Sequence, residues 1–194
     1  MRKAKVVRET AETRVSVELN LDGKGKADVK TPLRFLSHML QSLGKHSGFG
    51  LKVTAESRDG DEHHIAEDVG ICLGEALLKA LGDKKGIERF GYWILPMDDA
   101  VATVAVDLSG RPYFKIELPF SEFDEKMVGD VSKENIEHFL ESFALNGKFN
   151  LCVKAEGKND HHKVEAVFKA LAKSLKVAAS KSGSYDLPST KGVL

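Results

Sequence analysis

Asp61-Glu62-His63-His64-Ile65-Ala66-Glu67 and Asn159-Asp160-His161-His162-Lys163-Val164-Glu165 are two copies of one pattern: adjacent histidines, with a glutamate three residues after the second. The repetition extends outward from them. Phe49-Gly50-Leu51-Lys52-Val53-Thr54-Ala55-Glu56 precedes the first copy, and Phe149-Asn150-Leu151-Cys152-Val153-Lys154-Ala155-Glu156 precedes the second. Further upstream, His38-Met39-Leu40-Gln41-Ser42-Leu43 matches His138-Phe139-Leu140-Glu141-Ser142-Phe143. Six of the seven histidines fall in matched positions, and only His46 has no counterpart. A register kept over so many segments marks an internal duplication, and the fold reading follows from it.

The chain has 194 residues, enough for one domain or for two half-size units with a shared core. Lysine plus arginine and aspartate plus glutamate number 29 each, so no net charge draws the chain to nucleic acid or to a membrane surface. No apolar run approaches the roughly 20 residues that a membrane helix needs. The N-terminal Met1-Arg2-Lys3-Ala4-Lys5 has no apolar run behind it, so a cytoplasmic protein without a leader is expected. Cys72 and Cys152 lie in apolar segments and read as reduced core thiols.

Read in order, Val15 to Leu21 alternates as a half-buried strand, Asp22-Gly23 turns, and Lys26 to Lys30 is expected to return as a hairpin partner. Thr31-Pro32 should cap and open a helix that ends at Gly44. Phe49 to Glu56 is a second strand. A helix from about His63 to Leu81 follows, with Ala66, Val69, Leu73, Leu77 and Leu81 on one face. Gly82 to Gly91 reads as the seam between halves. Beyond it, Ala100 to Leu108 is a strand, Gly110 to Pro112 turns and Tyr113 to Leu118 returns. Asp124 to Asp130 is an acidic loop without assigned role, and Ser132 caps a helix through Phe143. Phe149 to Glu156 is the matching strand, and Val164, Val167, Phe168, Leu171 and Leu175 line the last long helix. The segment from Ser180 to Leu194 is expected to be a mobile tail. Each half thus presents amphipathic strands and helices with one face to bury. The expected fold is α+β, an internally duplicated two-layer sandwich whose halves bury their helical faces against each other. The expected bounds are a single domain over 1–194, made of pseudo-repeats at about 1–90 and 91–180 and a tail at about 181–194.

On a helix, His63 with Glu67 and His161 with Glu165 are four apart and share a face. The neighbouring histidine in each copy points about 100 degrees away and cannot join the same claw. Two metal sites are therefore expected, each copy feeding both, with His38 and His138 completing them. Imidazole and carboxylate donors suit manganese, iron, zinc or nickel, and the absence of thiolate ligands argues against structural zinc.

The residues also carry a resemblance. Arg8-Glu9-Thr10-Ala11-Glu12-Thr13, Phe35-Leu36-Ser37-His38-Met39-Leu40, Asp61 to Asp68, Gly110-Arg111-Pro112-Tyr113, Glu137-His138-Phe139, Gly157 to Lys169 and Pro188-Ser189-Thr190-Lys191-Gly192 resemble the imidazoleglycerol-phosphate dehydratase family, in order and spacing across nearly the whole chain. The resemblance implies dehydration of D-erythro-imidazoleglycerol phosphate to imidazole acetol phosphate in histidine biosynthesis. It implies two Mn2+ per active site, one taking His38, His64, His161 and Glu165, the other His63, Glu67, His138 and His162. It implies Glu12 as the acid/base carboxylate, and Arg89, Arg111, Lys169, Ser189 and Lys191 on the substrate phosphate. It also implies a fold similar to the second domain of ribosomal protein S5, and a homo-oligomer of 24 subunits with active sites at subunit contacts. Lys169 has a support of its own, lying four residues past Glu165 on the same helix face.

The chemistry gives a reason for two metals. The proton to be lost sits on a carbinol carbon with no adjacent carbonyl. A substrate ring held as imidazolate by a metal on each nitrogen could expel the hydroxyl on the attached carbon and make that proton removable. Two rival readings remain open at this point: a dinuclear hydrolase, which would need bridging carboxylates, and a metal-storage or metal-dependent assembly protein.

Overall fold

In the computed structural model, which describes residues 2–121 and 126–194, the repeated pattern folds as two copies of one unit. The first copy contains β1 (Lys3–Glu9), β2 (Thr13–Asn20), β3 (Ala27–Lys30), α1 (Arg34–Ser47), β4 (Gly50–Ser57) and α2 (Glu62–Leu81). The second contains β5 (Phe90–Met97), β6 (Ala100–Asp107) and β7 (Tyr113–Glu117), then a small hairpin of β8 (Met127–Val128) and β9 (Val131–Ser132), then α3 (Lys133–Gly147), β10 (Asn150–Glu156) and α4 (Asp160–Ala178). The sheets run β1-β2-β4-β3 and β5-β6-β10-β7, the same order twice. The fold is α+β, a duplicated sandwich of sheet and helices. The helical layers face each other, α2 against α3 and α1 against α4.

The alternation of β2, β4, β6 and β10 puts Val15, Val17, Val53, Ala102, Val104, Leu151 and Val153 under the helices, all buried. The expected stripes of α2 and α4 are buried as well. Helix α2 goes further, burying Ile65, Cys72, Ala76 and Ala80 on a second face, because it is wedged between its own sheet and α3. The outer faces of the two sheets differ. Lys5, Arg14, Glu18, Lys52 and Glu56 cover the first. On the second, exposed Tyr92, Ile94, Val101 and Tyr113 lie beside the charged Lys115, Glu117, Lys154 and Glu156.

Several expectations are corrected. Residues 26–30 do not return against β2. Both edges of β2 are taken by β1 and β4, so β3 pairs parallel to β4, joined to it by α1 in a βαβ crossover. For the same reason β7 pairs parallel to β10, not with β6. Strands β1 and β5 have no place in the sequence-based order, because as edge strands they are mostly exposed. Helix α1 starts at Arg34 instead of Pro32, runs through Gly44 and closes at Gly48 in the left-handed conformation. Thr31 forms a local turn, accepting from the Leu33 amide, and caps nothing. Cys152 points to the exposed outer face of β10, while Cys72 is buried. The tail carries no helix or strand, but it is tied down by backbone bonds from Gly86 N to Asp186 O and from Ser182 N to Gly86 O. Residues 124 and 125 of the acidic loop lie outside the described residues.

The α2–α3 contact is made by glycine. Gly70 and Gly74 follow His63 and Glu67 on one face of α2. A Cβ on Gly70 would stand 2.8 Å from the Phe139 carbonyl oxygen. One on Gly74 would stand 2.6 Å from both the Phe143 oxygen and the Gly147 nitrogen. These are backbone atoms that cannot rotate away. Gly74→Ala should therefore destabilise the protein by about 1–3 kcal/mol through overpacking. Urea unfolding of the metal-free protein measures this, with Glu75→Ala on the exposed side of α2 as the control.

Candidate active site

The glycine contact sets the first cluster. With α2 and α3 backbones touching, His63 and His138 stack with ring centroids 4.6 Å apart and planes 13° apart. Glu67, one turn along α2 from His63, places Oε1 3.4 Å from His138 Nε2. One donor atom from each of His63, Glu67 and His138 lies within 4.8 Å of the others. His63 is oriented by Asn135 of α3, whose Oδ1 stands 2.9 Å from Nδ1, and Asn135 in turn donates to Glu62 Oε1 at 2.9 Å.

The second cluster is its counterpart on α1 and α4. Glu165 Oε2 stands 3.3 Å from His161 Nε2 and 3.7 Å from His38 Nε2. Its other oxygen pairs with Lys169 Nζ at 2.9 Å. Burial pushes the Glu165 carboxyl up, but the Lys169 hydrogen bond, with His38 and His161 nearby, outweighs burial and holds it below the usual carboxylate range. Buried Phe168 and Ala172 on α4 stand where Gly70 and Gly74 stand on α2, and this cluster is wider, with the His38 and His161 rings 6.4 Å apart.

His64 and His162 are in neither cluster. The 100-degree step turns them outward, as the helix argument requires. His64 places Nδ1 2.7 Å from Asp59 Oδ2 and Nε2 3.8 Å from Glu12 Oε2. His162 places Nδ1 2.5 Å from Asp99 Oδ1 and Nε2 3.6 Å from Asp98 Oδ2. The hydrogen bond to Asp59 raises the His64 pKa, and that to Asp99 raises the His162 pKa. Each expected set of four donors is thus present as three within one chain, with the fourth facing away.

The three-donor clusters suit a transition-metal ion. Their donors are imidazole nitrogens and carboxylate oxygens with no thiolate among them, a set that suits manganese, iron, zinc or nickel alike. The Nε2 of His138 is buried and, among the described residues, has no hydrogen-bond partner, which a bound ion would supply.

Of the expected phosphate ligands, only Lys169 lies by a cluster. Arg89 sits at the far end of α4, where its amide donates to the Ala178 oxygen. At 1.5 Å per residue, that is roughly 20 Å from Glu165. There Arg89 pairs with Asp107 through Nε at 2.7 Å and donates through Nη1 to Pro188 O at 2.8 Å, next to Ser189. Arg111, on the turn after β6, and the tail residue Lys191 are exposed. Among the described residues, the chain therefore carries an end with the histidine–glutamate clusters and a separate basic end.

Sequence reading missed the residues that hold these ligands. Asp130, in the loop given no role, accepts from the α1 amides of Arg34 at 2.6 Å and Phe35 at 2.8 Å, a cap supplied from the other half. Asp160 is buried between Lys133 at 2.8 Å and Lys163 at 2.6 Å, anchoring the start of α4. Asp98 and Asp99, where β5 turns into β6, both contact His162.

A profile of the imidazoleglycerol-phosphate dehydratase family matches residues 31–175. The chain belongs to that family. It is 50% identical to the imidazoleglycerol-phosphate dehydratase of Methanothermobacter thermautotrophicus, over 100% of this chain and 98% of that protein. It is 51% identical to that of Desulforudis audaxviator, over the same shares of each. Among solved structures, the crystal structure of the family's enzyme from Pyrococcus furiosus superposes with a TM-score of 0.84 at 35% identity, covering 97% of this chain and 100% of that one. The family makes the chain a hydro-lyase.

The Asp130 cap yields a test. Asp130→Ala should cost about 1 kcal/mol of stability, as helix caps do. Because α1 carries His38 but not His138, metal titration of this variant should show one weakened class of site and one unchanged. Equal weakening of both classes would mean that the cap acts on the fold alone.

Proposed function

We propose that this chain removes water from D-erythro-1-(imidazol-4-yl)glycerol 3-phosphate to give 3-(imidazol-4-yl)-2-oxopropyl phosphate in histidine biosynthesis, with two Mn2+ in each active site. The observation that carries the reading is the pair of clusters, each one histidine short, beside two outward histidines that fit the vacant places. His64 would complete the set of His38, His161 and Glu165. His162 would complete that of His63, Glu67 and His138. Since one chain turns these histidines away from its own clusters, the fourth ligand comes from another copy, in a cytoplasmic homo-oligomer, proposed to hold 24 subunits as the resemblance implies. The exposed Tyr92, Ile94, Val101 and Tyr113 give such an assembly an apolar face to bury.

Two ions held by these residues would supply Lewis acidity that favours loss of the substrate ring's N–H proton, and the deprotonated ring is the electron-rich form able to release the neighbouring hydroxyl. The remaining work falls to the chain. Glu12, half-exposed and 3.8 Å from His64 Nε2, is the carboxylate that would meet the side chain of a ring held at His64. Its Oε2 takes the proton from the second carbinol carbon, next to the one that loses its hydroxyl; that proton and the released hydroxide make up the water lost, and the enol so formed relaxes to the ketone. Lys169 neutralises the free oxygen of Glu165 and stands ready for the phosphate. The substrate's three-carbon chain spans only roughly 5 Å, so Arg89, Arg111, Ser189 and Lys191 bind the phosphate of a site whose metals lie on a neighbour. The carboxylate pairing of Arg89 fixes its guanidinium plane for that purpose.

Turnover decides the matter. Protein reconstituted with Mn2+ should convert the substrate to a ketone, and Glu12→Gln should lower kcat by about 100-fold or more with metal content unchanged. Metal loading without turnover would favour a storage role, and phosphate release without ketone would favour a hydrolase.

A further inference from the structure

We propose that Asp59 and Asp99 are positioning residues that decide which ring nitrogen His64 and His162 present to metal. The proposal rests on the metal reading above. An imidazole can bind an ion only through an unprotonated nitrogen, and the hydrogen bond at the opposite nitrogen selects which one that is. Each aspartate accepts the hydrogen bond of Nδ1–H, leaving the lone pair on Nε2, which lies 3.8 Å from Glu12 in His64 and 3.6 Å from Asp98 in His162, to be offered to an ion at a second copy's cluster.

Both carboxylates are themselves fixed. Asp99 Oδ1 faces His162 Nδ1, while Oδ2 accepts from the amides of Lys158 and Asn159, each at 2.8 Å. Asp59 Oδ2 faces His64 Nδ1, while Oδ1 accepts from the Asp61 amide at 3.0 Å and the Ser57 hydroxyl at 3.2 Å. A carboxylate with both oxygens committed cannot swing away, so the ring cannot turn either.

The two aspartates are not copies of one ancestral residue. Asp59 lies in the β4–α2 loop, five residues before His64. Its positional counterpart before His162 is Gly157, where a Cβ would meet Ala100 Cβ at 2.8 Å and the Asp99 oxygen at 3.1 Å. The β5–β6 turn fills that space and supplies the carboxylate itself. The same bond to the same nitrogen is built twice from unrelated positions, which a passive packing contact does not require. His63 has a neutral version of it in Asn135.

The test uses full-length protein with 15N-labelled histidine, metal-free and at alkaline pH so that the rings are neutral. His64 and His162 should show the Nδ1-protonated tautomer, and Asp59→Asn and Asp99→Asn should each shift their own histidine toward the Nε2-protonated form. Asparagine serves because its amide cannot accept from the ring and from the fixed amides together. In Mn2+ titrations each variant should weaken one class of site by about 10–100-fold, as loss of an outer partner typically does, and leave the other class in place. Nε2-protonated rings in the wild type, or unchanged affinity in both variants, would overturn the proposal. Should one variant not fold, the wild-type tautomers and the other variant still decide. Failure of the metal reading shows separately, as His38→Ala binding Mn2+ like wild type.

Discussion

The backbone contact between α2 and α3 governs the rest of the structure. Two glycines let the helices approach until main-chain atoms touch, and only at that spacing do His63 and Glu67 reach His138. The same contact joins the halves, since α2 belongs to one and α3 to the other. Bringing together the first set of donors and closing the fold are thus one event. The second pair of helices carries Phe168 and Ala172 in the places of the two glycines, and its histidine rings lie farther apart, so the duplication preserves donor identity more strictly than ring spacing.

Much of this was legible in the chain. Period-two and helical stripes gave the four central strands and the long helices, because those elements bury one face completely. The 100-degree step between adjacent histidines gave the split of each pair between two directions. What escaped was what sequence pattern does not encode. The partners of β3 and β7 depend on which edges of β2 and β6 are already taken. Edge strands β1 and β5 bury too little to show a period. The cap of α1 comes from Asp130, across the duplication, where no local rule would seek it. The separation of Arg89 from Lys169 is a distance between the two ends of α4 that motif order along the chain does not reveal.

The candidate site shows how a protein can commit rigid elements to ligands and leave the reacting space open. Every histidine of the two repeated pairs sits in the first turn of a helix started by its own cap, Asp61 for α2 and Asn159 for α4. Three of the four carry a further contact of 2.9 Å or less to a carboxylate or amide oxygen at Nδ1. His161 is the exception, and it rests beside the Phe35 ring, 5.1 Å between centroids.

The unlike outer faces of the two sheets have a consequence for how copies can meet. The chain's internal pseudo-twofold maps one sheet onto the other. If both faces were apolar, each molecule would offer two equivalent sticky surfaces on opposite sides. Such a particle stacks without end into filaments. The charged residues Lys5, Arg14, Glu18, Lys52 and Glu56 on one side, against Tyr92, Ile94 and Tyr113 set beside Lys115, Glu117, Lys154 and Glu156 on the other, break that equivalence. The duplicated chain keeps symmetry where the ligands are and abandons it on the surface, so that contacts through the apolar side have a direction and a reason to stop.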